Sequence, residues 1–123
     1  MFTINLQRTV TLVLVAAAIS TPLFAQSLGY YRQPAVSNDT IVFVAEGDLW
    51  KVPLTGGVAQ RLTSHVGEEL TPAISPDGRS VAYSGRFEGS AEIYTMPLNG
   101  GVPTQLTFDG GSQAKVAGYT PSG

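Results

Sequence analysis

His65 is the one histidine among 123 residues, and cysteine is absent. A Ser–His–carboxylate relay would therefore run through His65, with Asp48 or Asp77 orienting the ring and a serine such as Ser75 attacking. The surrounding sequence gives that relay little footing. No Gly-x-Ser-x-Gly elbow occurs, and Ser75 stands just before Pro76, where a turn explains it. His65 reads instead as a loop histidine. The pair Glu68-Glu69 offers carboxylates for a metal or an amine, but neighbours on a strand point to opposite faces. They read as part of a solvated connecting loop. Asp109-Gly110-Gly111-Ser112 lacks the further oxygen donors of a calcium loop and reads as a flexible linker. No glycine-rich loop leads from a strand into a helix, so a nucleotide has no cradle. The expectation is a chain with no catalytic, cofactor-binding or metal-ligating residue and no cofactor.

Composition narrows the partners. Arg8 precedes an apolar run from Val10 to Ile19, and Leu23-Phe24-Ala25 then offers a cleavage point before Gln26. That is the layout of an export signal. The run is far shorter than the roughly 20 residues of a bilayer-spanning helix. An uncleaved anchor or a buried core helix are the competing readings. Cleavage removes Arg8, leaving six Lys+Arg against nine Asp+Glu, a net charge of −3. A mildly acidic protein with no basic stripe is a poor match for nucleic acid. Without cysteine, disulfides and thiolate metal sites are excluded, so packing must supply the stability. After signal cleavage no membrane association is expected, and the mature protein is expected in a periplasmic or secreted location.

The elements that position these residues are revealed by internal repetition. Gln33-Pro34-Ala35-Val36-Ser37 is echoed by Thr71-Pro72-Ala73-Ile74-Ser75. Asp48-Leu49-Trp50-Lys51-Val52-Pro53-Leu54 is echoed by Glu92-Ile93-Tyr94-Thr95-Met96-Pro97-Leu98, and each copy continues into Gly-Gly-Val. Gln60-Arg61-Leu62-Thr63 answers Thr104-Gln105-Leu106-Thr107 at the same 44-residue spacing, and Tyr119-Thr120-Pro121-Ser122-Gly123 starts a third copy. A period of about 40–45 residues holding four short strands marks a β-propeller blade. The fold class is all-β, about two blades of four antiparallel strands, behind a helical signal peptide.

Turn chemistry sets the strands within a copy. Ser75-Pro76-Asp77-Gly78 suits a tight turn, with Pro fixing φ, Asp accepting local N–H groups and Gly taking positive φ. It joins a strand near Leu70–Ser75 to one near Ser80–Ser84. The first copy substitutes Asn38-Asp39, which also tolerate such a turn; Asn38-Asp39-Thr40 spells a glycosylation sequon as well. On the third strand Tyr94, Met96 and Leu98 share a face, as do Trp50, Val52 and Leu54. These aromatics could stack on a ligand, but their repeat-equivalent positions favour blade-to-blade packing. Pro53 and Pro97 suggest an outer or ending position.

Asp48-Leu49-Trp50, Gly56-Gly57 with Arg61-Leu62-Thr63, Ser75-Pro76-Asp77-Gly78-Arg79 and Glu92-Ile93-Tyr94 resemble the WD40-like repeats of TolB-type propellers. Tyr31-Arg32-Gln33-Pro34, Glu46-Gly47-Asp48-Leu49-Trp50-Lys51-Val52 and Glu88-Gly89 ahead of Glu92-Ile93-Tyr94-Thr95-Met96-Pro97 resemble, more narrowly, the N-terminal propeller of tricorn protease homologues. The resemblance implies a six-bladed propeller that gates or channels peptides. It further implies a second propeller, a PDZ domain and a serine-peptidase core farther along the polypeptide. None of that family's catalytic residues maps onto this chain. Partners on this reading are peptide substrates and downstream domains of the same polypeptide. The competing readings are a non-enzymatic TolB-like interaction propeller and a propeller capping a prolyl-oligopeptidase-type hydrolase. The expected organisation is a signal peptide at 1–25, a linker at 26–30, blade one at 31–66, blade two at 67–112, and the start of blade three at 113–123.

Overall fold

The computed structural model of the protein describes residues 29–111 and 113–123. The expected helical signal at 1–25 and residues 26–28 of the linker lie outside the described residues. Among the described residues, two four-stranded antiparallel sheets follow one another in strictly sequential order. The first holds β1 (Arg32–Ser37), β2 (Thr40–Ala45), β3 (Asp48–Pro53) and β4 (Gln60–Arg61). The second holds β5 (Glu68–Ile74), β6 (Ser80–Arg86), β7 (Glu92–Pro97) and β8 (Thr104–Gln105). Four-stranded meanders in tandem are the blades that the repeat foretold.

Local chemistry accounts for each connection. Thr-Ile-Val-Phe-Val-Ala in β2 is dominated by β-branched and aromatic residues suited to a pleated, enclosed strand. β2 passes to β3 through Glu46 (φ 56°) and Gly47 (φ 86°), both left-handed as a two-residue hairpin of the primed type requires. Pro53 and Pro97 are the last residues of β3 and β7, facing Thr40 and Ser80, so neither interrupts a ladder. The outer strands β4 and β8 have two residues each, which leaves little exposed edge to pair with other chains.

Both inner strands carry the same irregularity. The β1–β2 register slips between Arg32 and Ala35, and the β5–β6 register slips between Leu70 and Ala73. Each bulge centres on a residue before proline with positive φ, Gln33 at 50° and Thr71 at 48°. A β-branched threonine in that region is strained, and its surroundings must over-determine it. They do: the Thr71 amide donates to Gln33 Oε1 of the preceding blade at 2.7 Å, and its hydroxyl meets Ser84 Oγ at 2.9 Å.

The core is the junction between the two blades. Val42, Val44 and Leu49 from the first, with Leu62 beside them, pack on Val81, Tyr83, Met96 and Leu98 of the second. Each large side chain removed from water there contributes about 1.5–3 kcal/mol. Lys51 reaches across the same junction to donate to the Leu98 carbonyl at 2.9 Å. Of the two equivalent faces, the one bearing Tyr94, Met96 and Leu98 is therefore covered by blade one. The face bearing Trp50 and Val52 has no second sheet over it among the described residues. Tyr31 stands edge-on to Phe43 there at 5.1 Å, while Leu54 is 54% exposed.

Beyond blade two the chain repeats its first crossing. The Glu69 amide donates to the Gly47 carbonyl at 2.8 Å, and the Ala114 amide donates to Ala91 at 3.1 Å. The turn ending at Gly123, closed by its amide on Thr120 at 3.0 Å, copies the turn in which Gly78 donates to Ser75 at 2.8 Å.

Candidate functional site

The sequence candidates are dispersed, each held by a partner of its own. His65 lies exposed on the crossing from blade one to blade two, its ring 4.0 Å from that of Phe87. Asp48 is ion-paired with Arg61. Asp77 sits at the far end of β5, where it accepts from Ser75 Oγ at 2.6 Å and from the Arg79 amide at 3.0 Å. Those bonds, the Ser75 one foremost, hold its carboxyl below the usual range. His65, Asp77 and Ser75 are thus not assembled into a relay. No cluster of three or more metal-ligating side chains occurs among the described residues.

Two of the loop expectations need correction. Glu68 and Glu69 lie in β5 rather than in a solvated loop, and strand alternation separates them. Glu68 is exposed and pairs with Arg32 at 3.4 Å, whereas Glu69 is fully buried. The segment at Asp109–Gly111 is not a plain linker either. Gly110 donates its amide to Glu92 Oε1 at 2.9 Å, and its carbonyl accepts from Ser90 Oγ at 2.8 Å. Ser112 lies outside the described residues.

Glu69 and Glu92 serve the same local need in different ways. After each outer strand a threonine, Thr63 or Thr107, turns its hydroxyl onto the amide of the second residue of the third strand. Leu49 donates to Thr63 at 2.8 Å and Ile93 donates to Thr107 at 2.9 Å. Each threonine then donates onward to a carboxylate. In blade two the acceptor is Glu92 of the same blade; in blade one it is Glu69, reaching back from the next blade. Asp48 occupies the position of Glu92 but is one methylene shorter, and it binds Arg61 instead. The sequence signal for this device was the repeated Leu-Thr after each outer strand with an acid ahead of Leu49 and Ile93. Nothing in it pointed to Glu69.

Burial pushes the Glu69 carboxyl up to about 7, against the lowering influence of its bonds from Thr63 and Leu49. Burial likewise raises the Tyr83 phenol, with the charge of Glu69 adding to it. Glu69 Oε1 and Tyr83 Oη are both buried without a hydrogen-bond partner among the described residues. Glu92 differs: its bonds from Thr107 and Gly110 hold it below the ordinary range.

At the same end of the blades an open cleft of about 430 Å3 lies between His65 and the loops flanking β7. Phe87, Tyr94 and Phe108 form its apolar walls, and Glu88 and Glu92 its acidic part. Tyr94, expected in the packed core, is half-buried and contributes one edge to this wall.

The comparisons agree with this architecture. Residues 28–123 match the model of the tricorn protease N-terminal β-propeller domain. The chain is 36% identical over 94 residues to tricorn protease homolog 1 of Streptomyces coelicolor, covering 76% of this chain and 9% of that protein. It is 33% identical over 96 residues to the tricorn protease homolog of Saccharolobus solfataricus, covering 73% and 9% respectively. The chain thus spans about a tenth of the length of these curated relatives. Among solved structures it is similar to TolB from Acinetobacter baumannii, with a TM-score of 0.64, 28% identity, and coverage of 77% of this chain and 25% of that one. On the sheets, the repeat and these likenesses together, the chain belongs to the family of tricorn protease N-terminal β-propeller domains.

Proposed function

We propose that these blades are part of the propeller of an exported serine peptidase and admit or channel peptides to a catalytic core carried elsewhere in the polypeptide. The observation that carries the reading is the match of residues 28–123 to the tricorn propeller family. The blade geometry is compatible with it. Inner strands β1 and β5 lie side by side, the position that lines the central channel in a propeller. The Gln33-Pro34 bulge is exposed there.

The test uses the full-length protein and fluorogenic peptides of increasing length. Gln33→Trp, which adds bulk at the channel-side bulge, should lower kcat/KM for long peptides while sparing tetrapeptides. Absence of peptide hydrolysis, or equal effects at every length, would contradict the proposal. Export is tested separately: the secreted protein should begin at or near Gln26, and a retained Met1 would contradict it. The likeness to TolB favours one alternative, an interaction propeller without enzymatic activity. A full-length protein that hydrolyses nothing yet co-purifies with a defined protein partner would support that reading.

A further inference from the structure

We propose that the cleft between His65 and the β7 loops binds an arginine or lysine side chain of an extended peptide. The residues of the two blades that line it include His65, Phe87, Glu88, Glu92, Tyr94 and Phe108.

Its wall is a ladder of rings running from core to surface. Tyr83 lies 5.9 Å from Tyr94, Tyr94 lies 4.7 Å from Phe87, and Phe87 lies 4.0 Å from His65. Phe108 lines the same cleft and is 79% exposed. Aromatic faces lining a cleft can cover an apolar or cationic group.

Charge selects between those two. Glu88 and Glu92 line the cleft, and among the described residues no lysine or arginine does. Both acids act on the ring wall: burial raises the Tyr94 phenol first, with the charges of Glu92 and then Glu88 adding to it. The two carboxylates have separate tasks. Glu92 already accepts from Thr107 and from Gly110, so it sets the negative potential at the floor. Glu88 is exposed on the rim and free to turn toward a ligand. A guanidinium or ammonium laid on the aromatic faces would meet Glu88 at its end, while its aliphatic stem covers Phe87 and Phe108. A volume of about 430 Å3 accommodates one such side chain and a stretch of its backbone.

That the ligand is a peptide rests on the peptide-handling reading above, but the cleft is tested by binding alone and not by hydrolysis. The full-length protein is titrated with a labelled alanine-rich peptide containing one arginine, with its citrulline twin, and with spermidine, all read by fluorescence anisotropy. The arginine peptide should bind on the order of tenfold tighter than the citrulline peptide. Glu88→Gln and Phe108→Ala, both at exposed positions outside the core, should each remove most of that difference. Equal affinity for the two peptides, an unchanged difference in both variants, or spermidine binding more tightly than the arginine peptide would each overturn the proposal. A protein that discriminates arginine from citrulline but cleaves nothing would keep the cleft and remove the peptidase reading.

Discussion

Glu69 of the second blade accepts a hydrogen bond from Thr63 of the first, so a fully buried carboxylate forms part of the joint between two sheets. The same oxygen accepts from the Leu49 amide at 3.1 Å, while the other oxygen is unpartnered. The groups around it are the acid Asp48, the cation Arg61 and the phenol Tyr83, with His65 on the rim of the adjoining cavity.

This joint carries a pH dependence of definite sign. A carboxyl raised from 4.5 to about 7 in the folded state is favoured when protonated. Its contribution is fully present below about 4.5 and is lost as pH rises through 7. The loss amounts to roughly 3 kcal/mol, because each tenfold gain in proton affinity on folding is worth about 1.36 kcal/mol. Asp77 and Glu92 act oppositely, since their lowered values stabilise at neutral pH and fail in acid. Thermal midpoints of the full propeller should therefore fall between pH 5 and 8 in wild type and stay level there in Glu69→Gln. A wild-type curve that rises over that interval would contradict the assignment.

Gly78→Val should destabilise the protein well beyond any effect of Ser122→Ala. Gly78 has φ of 70°, and a Cβ there would lie 2.7 Å from Asn38 Nδ2 of the neighbouring blade. The left-handed backbone costs a β-branched residue about 1–2 kcal/mol before any contact is counted. Combining Gly78→Ala with Asn38→Ala should relieve the contact and leave the backbone cost. Chemical denaturation of the single and double variants separates the two contributions.

Tyr83 offers a sharper contrast between ring and hydroxyl. Its ring is fully buried at the blade junction, while its hydroxyl has no partner among the described residues. Tyr83→Phe should be neutral or stabilising, because it removes an unsatisfied polar atom and little volume. Tyr83→Ala should cost about 3 kcal/mol or more by opening a cavity. Equal losses in the two variants, measured by urea denaturation, would show that the hydroxyl carries the interaction.

The blade architecture was legible in the sequence because turn chemistry and period act locally. Ser75-Pro76-Asp77-Gly78 needs only its own residues to bend, and the Gly-Gly pairs and strand-ending prolines are equally local. The pairing of faces was half legible. Trp50 and Tyr94 marked the packing side of each third strand, but no single copy reveals which of the two faces its neighbour covers. Glu69 and the acidic aromatic cleft were illegible for a different reason. Glu69 is buried by a threonine six residues away across the blade crossing, and the cleft unites His65 with Phe108, 43 positions later. Both depend on how one sheet is laid on the next, and pattern along a strand does not contain that angle. The bulges at Gln33 and Thr71 escaped as well, since proline there signals extended backbone and conceals the positive φ before it.

Residues 29–123 expressed alone show whether these blades belong to a larger propeller and lack peptidase activity of their own. The sheet face with Trp50 and Val52 is then left without a neighbouring blade, which favours association or partial unfolding. Size-exclusion chromatography with light scattering, run beside a fluorogenic peptide assay, should show self-association or an expanded species and no hydrolysis. A sharp monomer peak that cleaves peptide and loses that activity on His65→Ala would contradict the account.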